Sequence, residues 1–417
     1  MFDDQIALPI LAEPSEGIPP LIDDQSQLEV ARQQLSTSSM PVALDTERAQ
    51  GRRYGSGAYL VQVRKDNVGT FLIDSHQLPD LSLLQDALDT TWIFHAADQD
   101  LRCLIDLGLE APNLFDTETA ARLVGFRHFS LGALTEQILN ISLKKTHQDE
   151  DWSRRPLPTS WLAYAALDVE LLTELKLQLT ERLEEAGRLE WAEQEFVYEL
   201  ANPVEPRPPS WRNLKGLGRL RSPRELAIAK ELWITREEIG KTTDNAPGRV
   251  LSTRGIIDAA ILQPKGRNAL TGIDTFRRPL ARQNMDAWWE AIKRAYELPT
   301  DQLPQRRRAE PGVIPAASTW KQSNPEGLTR LNEVRSIAAS LGDALNLDPE
   351  IVLTPKVQRE LAWEPLPGAR RSKKALLQAV EARLDSSEAR DWQKELFVEG
   401  LEKSAPDASR ALQQGRR

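Results

Sequence analysis

Asp45 and Glu47 stand two residues apart in Pro41-Val-Ala-Leu-Asp-Thr-Glu47, at the end of a short apolar run. In a strand, alternate side chains share a face, so both carboxylates point the same way. Like charges held that close repel one another unless a cation lies between them, which is how a metal site begins. An isolated Asp-x-Glu is most often the solvated edge of a strand, so further acidic positions have to decide. Trp92-Ile-Phe-His-Ala-Ala-Asp-Gln-Asp100-Leu-Arg-Cys-Leu104 reads as a buried strand running into a helix with an acid in its first turn. Asp98 and Asp100 compete for a role there, and an acid at a helix start also serves simply as a partner for the helix dipole. Trp161-Leu-Ala-Tyr164-Ala-Ala-Leu-Asp168-Val-Glu-Leu-Leu172 is helical by propensity and places Tyr164 and Asp168 on one face.

The ordered set Asp45, Glu47, Asp100 and Asp168, with Tyr164 four residues before the last acid, resembles the DEDD exonuclease superfamily in its tyrosine branch. More narrowly, the chain resembles the ribonuclease D family. His95-Ala-Ala-Asp-Gln-Asp100-Leu is similar to that family's second motif. Asp151-Trp-Ser-Arg-Arg-Pro-Leu157 followed by Tyr164-Ala-Ala-Leu-Asp-Val169 is similar to its third, and Leu114-Phe-Asp-Thr-Glu-Thr-Ala-Ala-Arg-Leu-Val-Gly125 to the segment between them. The likeness is close from residue 40 to 175 and looser beyond. The branch that uses a His five residues before the last acid is excluded, since Ala163 stands there. One departure is Arg48, directly after Glu47, where many relatives carry an aromatic residue.

The resemblance implies two divalent cations, Mg²⁺ or Mn²⁺, which suit an oxygen-only ligand set better than Zn²⁺ does. Asp45 is expected to bridge them, Glu47 and Asp168 to complete the shell of one, and Asp100 to hold the other partly through water. Two such ions, roughly 3.5 to 4 Å apart, stabilise the attacking and leaving oxygens of a phosphodiester. Tyr164 is expected to orient the attacking water, since a phenol with a pKa near ~10 is a poor unaided base. The implied reaction is release of mononucleotides from RNA with a free 3′ end, tRNA precursors and other stable RNAs being the implied substrates. A DNA exonuclease built on the same carboxylates is the first alternative. A catalytically silent RNA-binding scaffold is the second, and the complete acidic set speaks against it.

Composition bounds the remaining possibilities. At 417 residues the chain has room for about three domains. The single cysteine, Cys103, excludes a disulfide framework and any cysteine-based zinc site; it reads as a core thiol in a reducing compartment. No run approaches the ~18 apolar residues of a membrane span, and Met1-Phe-Asp-Asp4 is acidic where a secretory signal is basic. A cytoplasmic monomer is expected. No G-x-x-x-x-G-K-[ST] loop is present, so ATP-driven helicase chemistry is not expected. The net charge of −9 is polarised: residues 1–200 carry 16 Lys and Arg against 34 Asp and Glu, and the remainder 37 against 28. Acid gathers where metals need it, and base where a polyanion could be held.

The elements that position the acids come before residue 200. Strands Val42–Asp45, Tyr59–Arg64 and Thr70–Ile73, a turn at Lys65-Asp-Asn67, a helix, and a strand at Thr91–His95 give an α/β layout opening on an antiparallel meander. The expected fold is a ribonuclease H-like α/β exonuclease domain at 28–200 followed by two all-α HRDC-type domains at 213–297 and 328–404. Proline-rich stretches at 201–212 and 298–327 read as linkers, residues 1–27 as an acidic tail and 405–417 as a C-terminal tail. Ser222-Pro223 reads as a helix start. The two helical blocks show no repeat by identity. Their apolar stripes read as core; Arg219, Arg221, Arg224, Arg236 and Lys241 are the candidate phosphate contacts.

Overall fold

The structure, a computed structural model, describes residues 8–49, 51–144, 147, 149–205, 208–306, 313–404 and 412–413. Six strands form one sheet in the order β2-β5-β4-β3-β6-β7: β2 (Leu21–Ile22), β3 (Val42–Arg48), β4 (Ala58–Lys65), β5 (Gly69–Ile73), β6 (Thr91–Phe94) and β7 (Asn113–Asp116). β3, β4 and β5 are the antiparallel meander, with Asp45 opposite Gln62 and Glu47 opposite Leu60. The meander turns where expected: Asn67 adopts φ 64° and Gly69 φ 126°, left-handed backbone that asparagine and glycine tolerate best. β6 and β7 add in parallel on the other side of β3.

β3 is therefore a central strand. Val42, Ala43 and Leu44 are fully buried, packed with Leu28 and Leu35 of the helix Gln25–Leu35 and with Leu172, Leu175 and Leu179 of the helix Leu172–Glu185. Acidic side chains on a central strand find no solvated edge. That observation removes the strand-edge reading of Asp45 and Glu47.

Of the expected tail, residues 1–7 lie outside the described residues, and residues 8–27 join the fold. β1 (Ile10–Leu11) pairs in parallel with β8 (Ser142–Leu143), and β2 pairs with β5. Strands of two residues are too short for any periodicity, which is why composition alone made this stretch read as acidic tail. Likewise the second proline-rich stretch is only partly linker. Trp320 is fully buried in the last helical block, whose first long helix already starts at Pro325. Leu412, in the expected C-terminal tail, is buried in the same core.

The two helical blocks share a plan that identity along their helices conceals. Pro223–Thr243 and Pro325–Leu345 are both 21 residues long. Each is N-capped by a side chain, Ser222 or Asn324, and each ends on a left-handed residue, Asp244 or Asn346. Four-residue helices follow at Pro247–Val250 and Pro349–Val352. Leu251 and Leu353 are then extended, with φ −153° and −152°, before N-caps Ser252 and Thr354. Gly240 and Gly342 occupy equivalent turns, where an added Cβ would lie 2.9 Å and 2.8 Å from the carbonyls of Asn245 and Leu347. Each of these pairs has the same separation along the chain.

The last block is docked on the α/β domain. Trp392 stacks on Trp191 at 4.7 Å between ring centroids, and its Nε1 donates to Glu195 Oε1 at 2.8 Å, which Arg390 also bonds at 2.8 Å. Trp392→Ala is expected to destabilise this junction by about 3 to 5 kcal/mol, the range for truncating a buried Trp. The check is an early unfolding transition or new proteolytic cutting between residues 201 and 211 in the variant; unchanged unfolding and cleavage would show that the stack carries no docking energy.

Candidate active site

Three of the four expected ligands converge. Asp45 and Glu47 from β3 and Asp168 from the helix Thr159–Glu170 each offer an oxygen within 4.8 Å of the others. Period-2 geometry sends Asp45 and Glu47 to one face, and that helix crosses the same face, with its Ala165 and Ala166 fully buried against the sheet. Alanines let the helix approach closely enough for the short Asp168 side chain to reach.

Asp100 lies beside this trio, outside the 4.8 Å group. Its Oδ1 accepts from Thr46 Oγ1 at 2.5 Å and stands 3.7 Å from Arg48 Nη2. Of the two competing acids, Asp98 is exposed whereas Asp100 is only 4% exposed. Arg48 leaves β3 where the register shifts between Glu47 and Arg48; it donates to the Gln99 carbonyl at 2.5 Å and to Gln99 Oε1 at 3.2 Å. The residue that departs from the family pattern thus ties the first acidic segment to the second.

The electrostatics fit a cation site. Burial raises the Asp45 carboxyl above its ordinary pKa, with Asp168 adding to the rise. Burial likewise raises Glu47, helped by Asp45, Asp168 and Asp100. Burial raises Asp168, which the Tyr164 hydroxyl pulls back down, and raises Asp100, with Asp45 adding to it. Buried carboxyls that resist ionisation together are stabilised by a divalent ion among them, and an all-oxygen donor set suits Mg²⁺ or Mn²⁺.

Tyr164 is 9% exposed and packs against Trp152 at 6.3 Å and edge-on to His147 at 6.1 Å. Burial, then Asp168 and Glu47, push its phenol further above the ordinary range, so at neutral pH it is a hydrogen-bond donor and not a base. Tyr164, Asp45 and Asp168 line one cavity of about 370 Å³ together with His95, Ser130 and Lys144. None of these last three was singled out by sequence as a site residue. His95 carried a signal, its place five residues before Asp100, whereas Ser130 and Lys144 sit in segments without a pattern.

The expected phosphate contacts divide. Arg219, Arg221 and Lys241 are exposed, Arg219 with Asp258 at 3.6 Å. Arg224 is engaged within the fold: its Nη1 donates to the carbonyls of Ala295, Tyr296 and Leu298, closing the end of the helix Met285–Glu297. Arg236 is engaged too: it is 7% exposed and bonded to Glu237 at 2.9 Å and Thr253 at 3.4 Å. Helical spacing showed both as basic residues between apolar stripes but could not show that the fold uses their guanidinium groups.

A ribonuclease H-like mixed sheet presenting clustered carboxylates that could hold a metal ion, beside a buried tyrosine, fits a nuclease of the exonuclease class. Family models match accordingly: 3′-5′ exonuclease over residues 19–184, HRDC domain over 225–292, and 3′ to 5′ exonuclease C-terminal domain over 313–405. Ribonuclease D of Pseudomonas paraeruginosa is 32% identical over 328 residues, covering 77% of this chain and 83% of that protein. A solved protein from Bifidobacterium adolescentis is 33% identical with a TM-score of 0.85, covering 98% of this chain and all of that one. RNase D of Escherichia coli, described as an exoribonuclease involved in structured RNA processing, shares the fold at a TM-score of 0.65 and 22% identity, over 88% of this chain and 98% of that one. The chain belongs to the ribonuclease D family, whose reaction is 3′-5′ exoribonucleolysis.

Proposed function

We propose that this chain removes mononucleotides from the 3′ ends of RNA by metal-assisted hydrolysis, acting in the maturation of tRNA precursors and other stable RNAs. The convergence of Asp45, Glu47 and Asp168 within 4.8 Å is the observation that carries this reading. Divalent ions bound there supply charge to the attacking and leaving oxygens of the scissile phosphodiester. Asp45, Glu47 and Asp168 would hold one ion, and Asp45 with Asp100 the other. Thr46 and Arg48 keep the Asp100 carboxylate in place. Tyr164, neutral and held by the surrounding rings, directs its hydroxyl to orient the attacking water.

Beyond the first domain, the matching caps, turns and glycines of the two helical blocks support the reading of 328–404 as a second HRDC-type module. Arg219, Arg221 and Lys241 remain the phosphate contacts of the basic half. Its charge, 37 Lys and Arg against 28 Asp and Glu, complements a polyanion that the acidic half alone would repel. A monomer working in the cytoplasm belongs to the same reading; the one cysteine is buried, and no helix among the described residues is long and apolar enough to cross a membrane.

Two variants test the division of labour. Tyr164→Phe is expected to bind Mn²⁺ and RNA as the parent does and to lose ~10²-fold or more in rate, the scale of a water-orienting group. Asp168→Ala is expected to lose metal affinity as well. Calorimetric Mn²⁺ titrations showing both variants equally defective would contradict these roles.

A further inference from the structure

His95 stands at the end of β6, beside the first ligand. β3 and β6 run parallel with Ala43 opposite Ile93, so Asp45 and His95, two residues further on, project to the same face. Both line the cavity that holds Tyr164 and Asp168.

One edge of the imidazole is already engaged: Nδ1 lies 3.0 Å from Thr117 Oγ1. The Thr117 hydroxyl in turn lies 2.9 Å from the Phe94 carbonyl, which can only accept, so the single hydroxyl proton goes there. Thr117 Oγ1 can then only accept from His95, and the ring carries its proton on Nδ1. Burial pushes the imidazole down to about 4, which keeps it neutral at physiological pH. Nε2 is left as an acceptor held in one orientation, in a cavity it shares with the Asp45 and Asp168 carboxylates and with Ser130, Lys144 and Tyr164, none of which the structure bonds to it.

A fixed neutral acceptor calls for a donor that arrives with the substrate. Phosphate oxygens only accept, and the donor pattern of a base changes among the four nucleotides. Ribose hydroxyls are the donors present on every nucleotide at an RNA 3′ end.

We propose that His95 Nε2 accepts a hydrogen bond from a ribose hydroxyl of the 3′-terminal nucleotide, which makes His95 a residue that selects ends carrying that hydroxyl. This rests on the exoribonuclease reading above. Thr117 acts through His95 as a positioning residue, because it fixes the tautomer.

The test compares release of the first nucleotide from one oligoribonucleotide ending in a normal, a 2′-deoxy or a 3′-deoxy residue. Wild-type protein is expected to discriminate about tenfold in kcat/KM against one of the two deoxy ends, the scale of one hydrogen bond. The sensitive end identifies the hydroxyl. His95→Phe is expected to lose about tenfold on the normal end, to keep the wild-type rate on that deoxy end, and so to discriminate no longer. His95→Gln, whose side-chain oxygen can accept, is expected to recover part of the ratio, and Thr117→Val to lose part of it. A His95→Phe variant that keeps the wild-type ratios, or that slows equally on all three ends, would overturn the proposal. Wild-type protein that releases nucleotides but does not discriminate would overturn it while leaving the exoribonuclease reading standing. Release from none of the three would overturn both.

Discussion

Asp45→Asn is expected to leave a folded protein whose nucleotide release falls by ~10³-fold or more, since several kcal/mol of charge stabilisation at the phosphodiester depend on the anion it removes. The same substitution should raise the stability of the metal-free protein. The Asp45 carboxyl is held above its ordinary 3.8 by burial and by Asp168, reaching about 7. A carboxyl raised in the folded state favours folding only while protonated. Its contribution is fully present below the unfolded value and is lost as pH rises through the folded one. Asparagine cannot ionise, so the variant's advantage should appear at neutral pH and vanish at the acidic end of the window between 3.8 and about 7. Thermal unfolding in chelator across that window checks the sign. Near-normal exonuclease activity in Asp45→Asn would contradict the metal-ligand assignment.

Arg155→Met is expected to produce the second large effect, on stability and then on rate. Arg155 meets Asp74 with two bonds, Nη2 to Oδ1 at 2.5 Å and Nε to Oδ2 at 2.6 Å, and Asp74 is 1% exposed. Arg155 also donates to the carbonyls of Trp152 at 2.7 Å and Tyr59 at 2.9 Å, tying the loop under Tyr164 to β4. Removing the guanidinium leaves a buried carboxylate without its partner, a loss of about 3 to 5 kcal/mol. Trp152, released from that tie, no longer braces the Tyr164 ring. Adding Asp74→Asn to Arg155→Met should recover part of the stability, because the uncompensated charge is then gone. Denaturant midpoints of the two variants decide it. A single variant within about 1 kcal/mol of the parent would show the pair to be dispensable, as exposed pairs often are.

The meander and β6 were readable because apolar runs there are bounded by strong punctuation, such as Lys65-Asp-Asn67. The helix Thr159–Glu170 was readable from propensity, and with it the shared face of Tyr164 and Asp168. The fold's closure was not. β1, β2 and β8 are two residues each, and their pairing is decided by partners far away in the chain. The plan shared by the helical blocks was missed because their agreement lies in caps and turns, Gly240 with Gly342 and Pro247 with Pro349, while the helices between share only an apolar pattern. The structure alone shows Trp392 of the last block stacked on Trp191 of the first domain. For the same reason, cutting the chain after Ala201 does not isolate an intact catalytic domain, since it uncovers Trp191 and strips Glu195 of Arg390. The role of the basic half is better approached by reversing the charge of Arg219, Arg221 and Lys241 and following the salt dependence of RNA affinity. A flatter slope is expected if they neutralise phosphates, and an unchanged one if they do not.

The most direct measurement uses a 5′-labelled, unstructured oligoribonucleotide with a free 3′ hydroxyl, incubated with the full chain and Mg²⁺ or Mn²⁺. The expected result is a ladder that shortens one nucleotide at a time, with the label retained on the shrinking chain. Chelator and Asp45→Asn should abolish it. Early release of labelled mononucleotide, internal fragments, or digestion that survives chelation would contradict metal-dependent hydrolysis from the 3′ end.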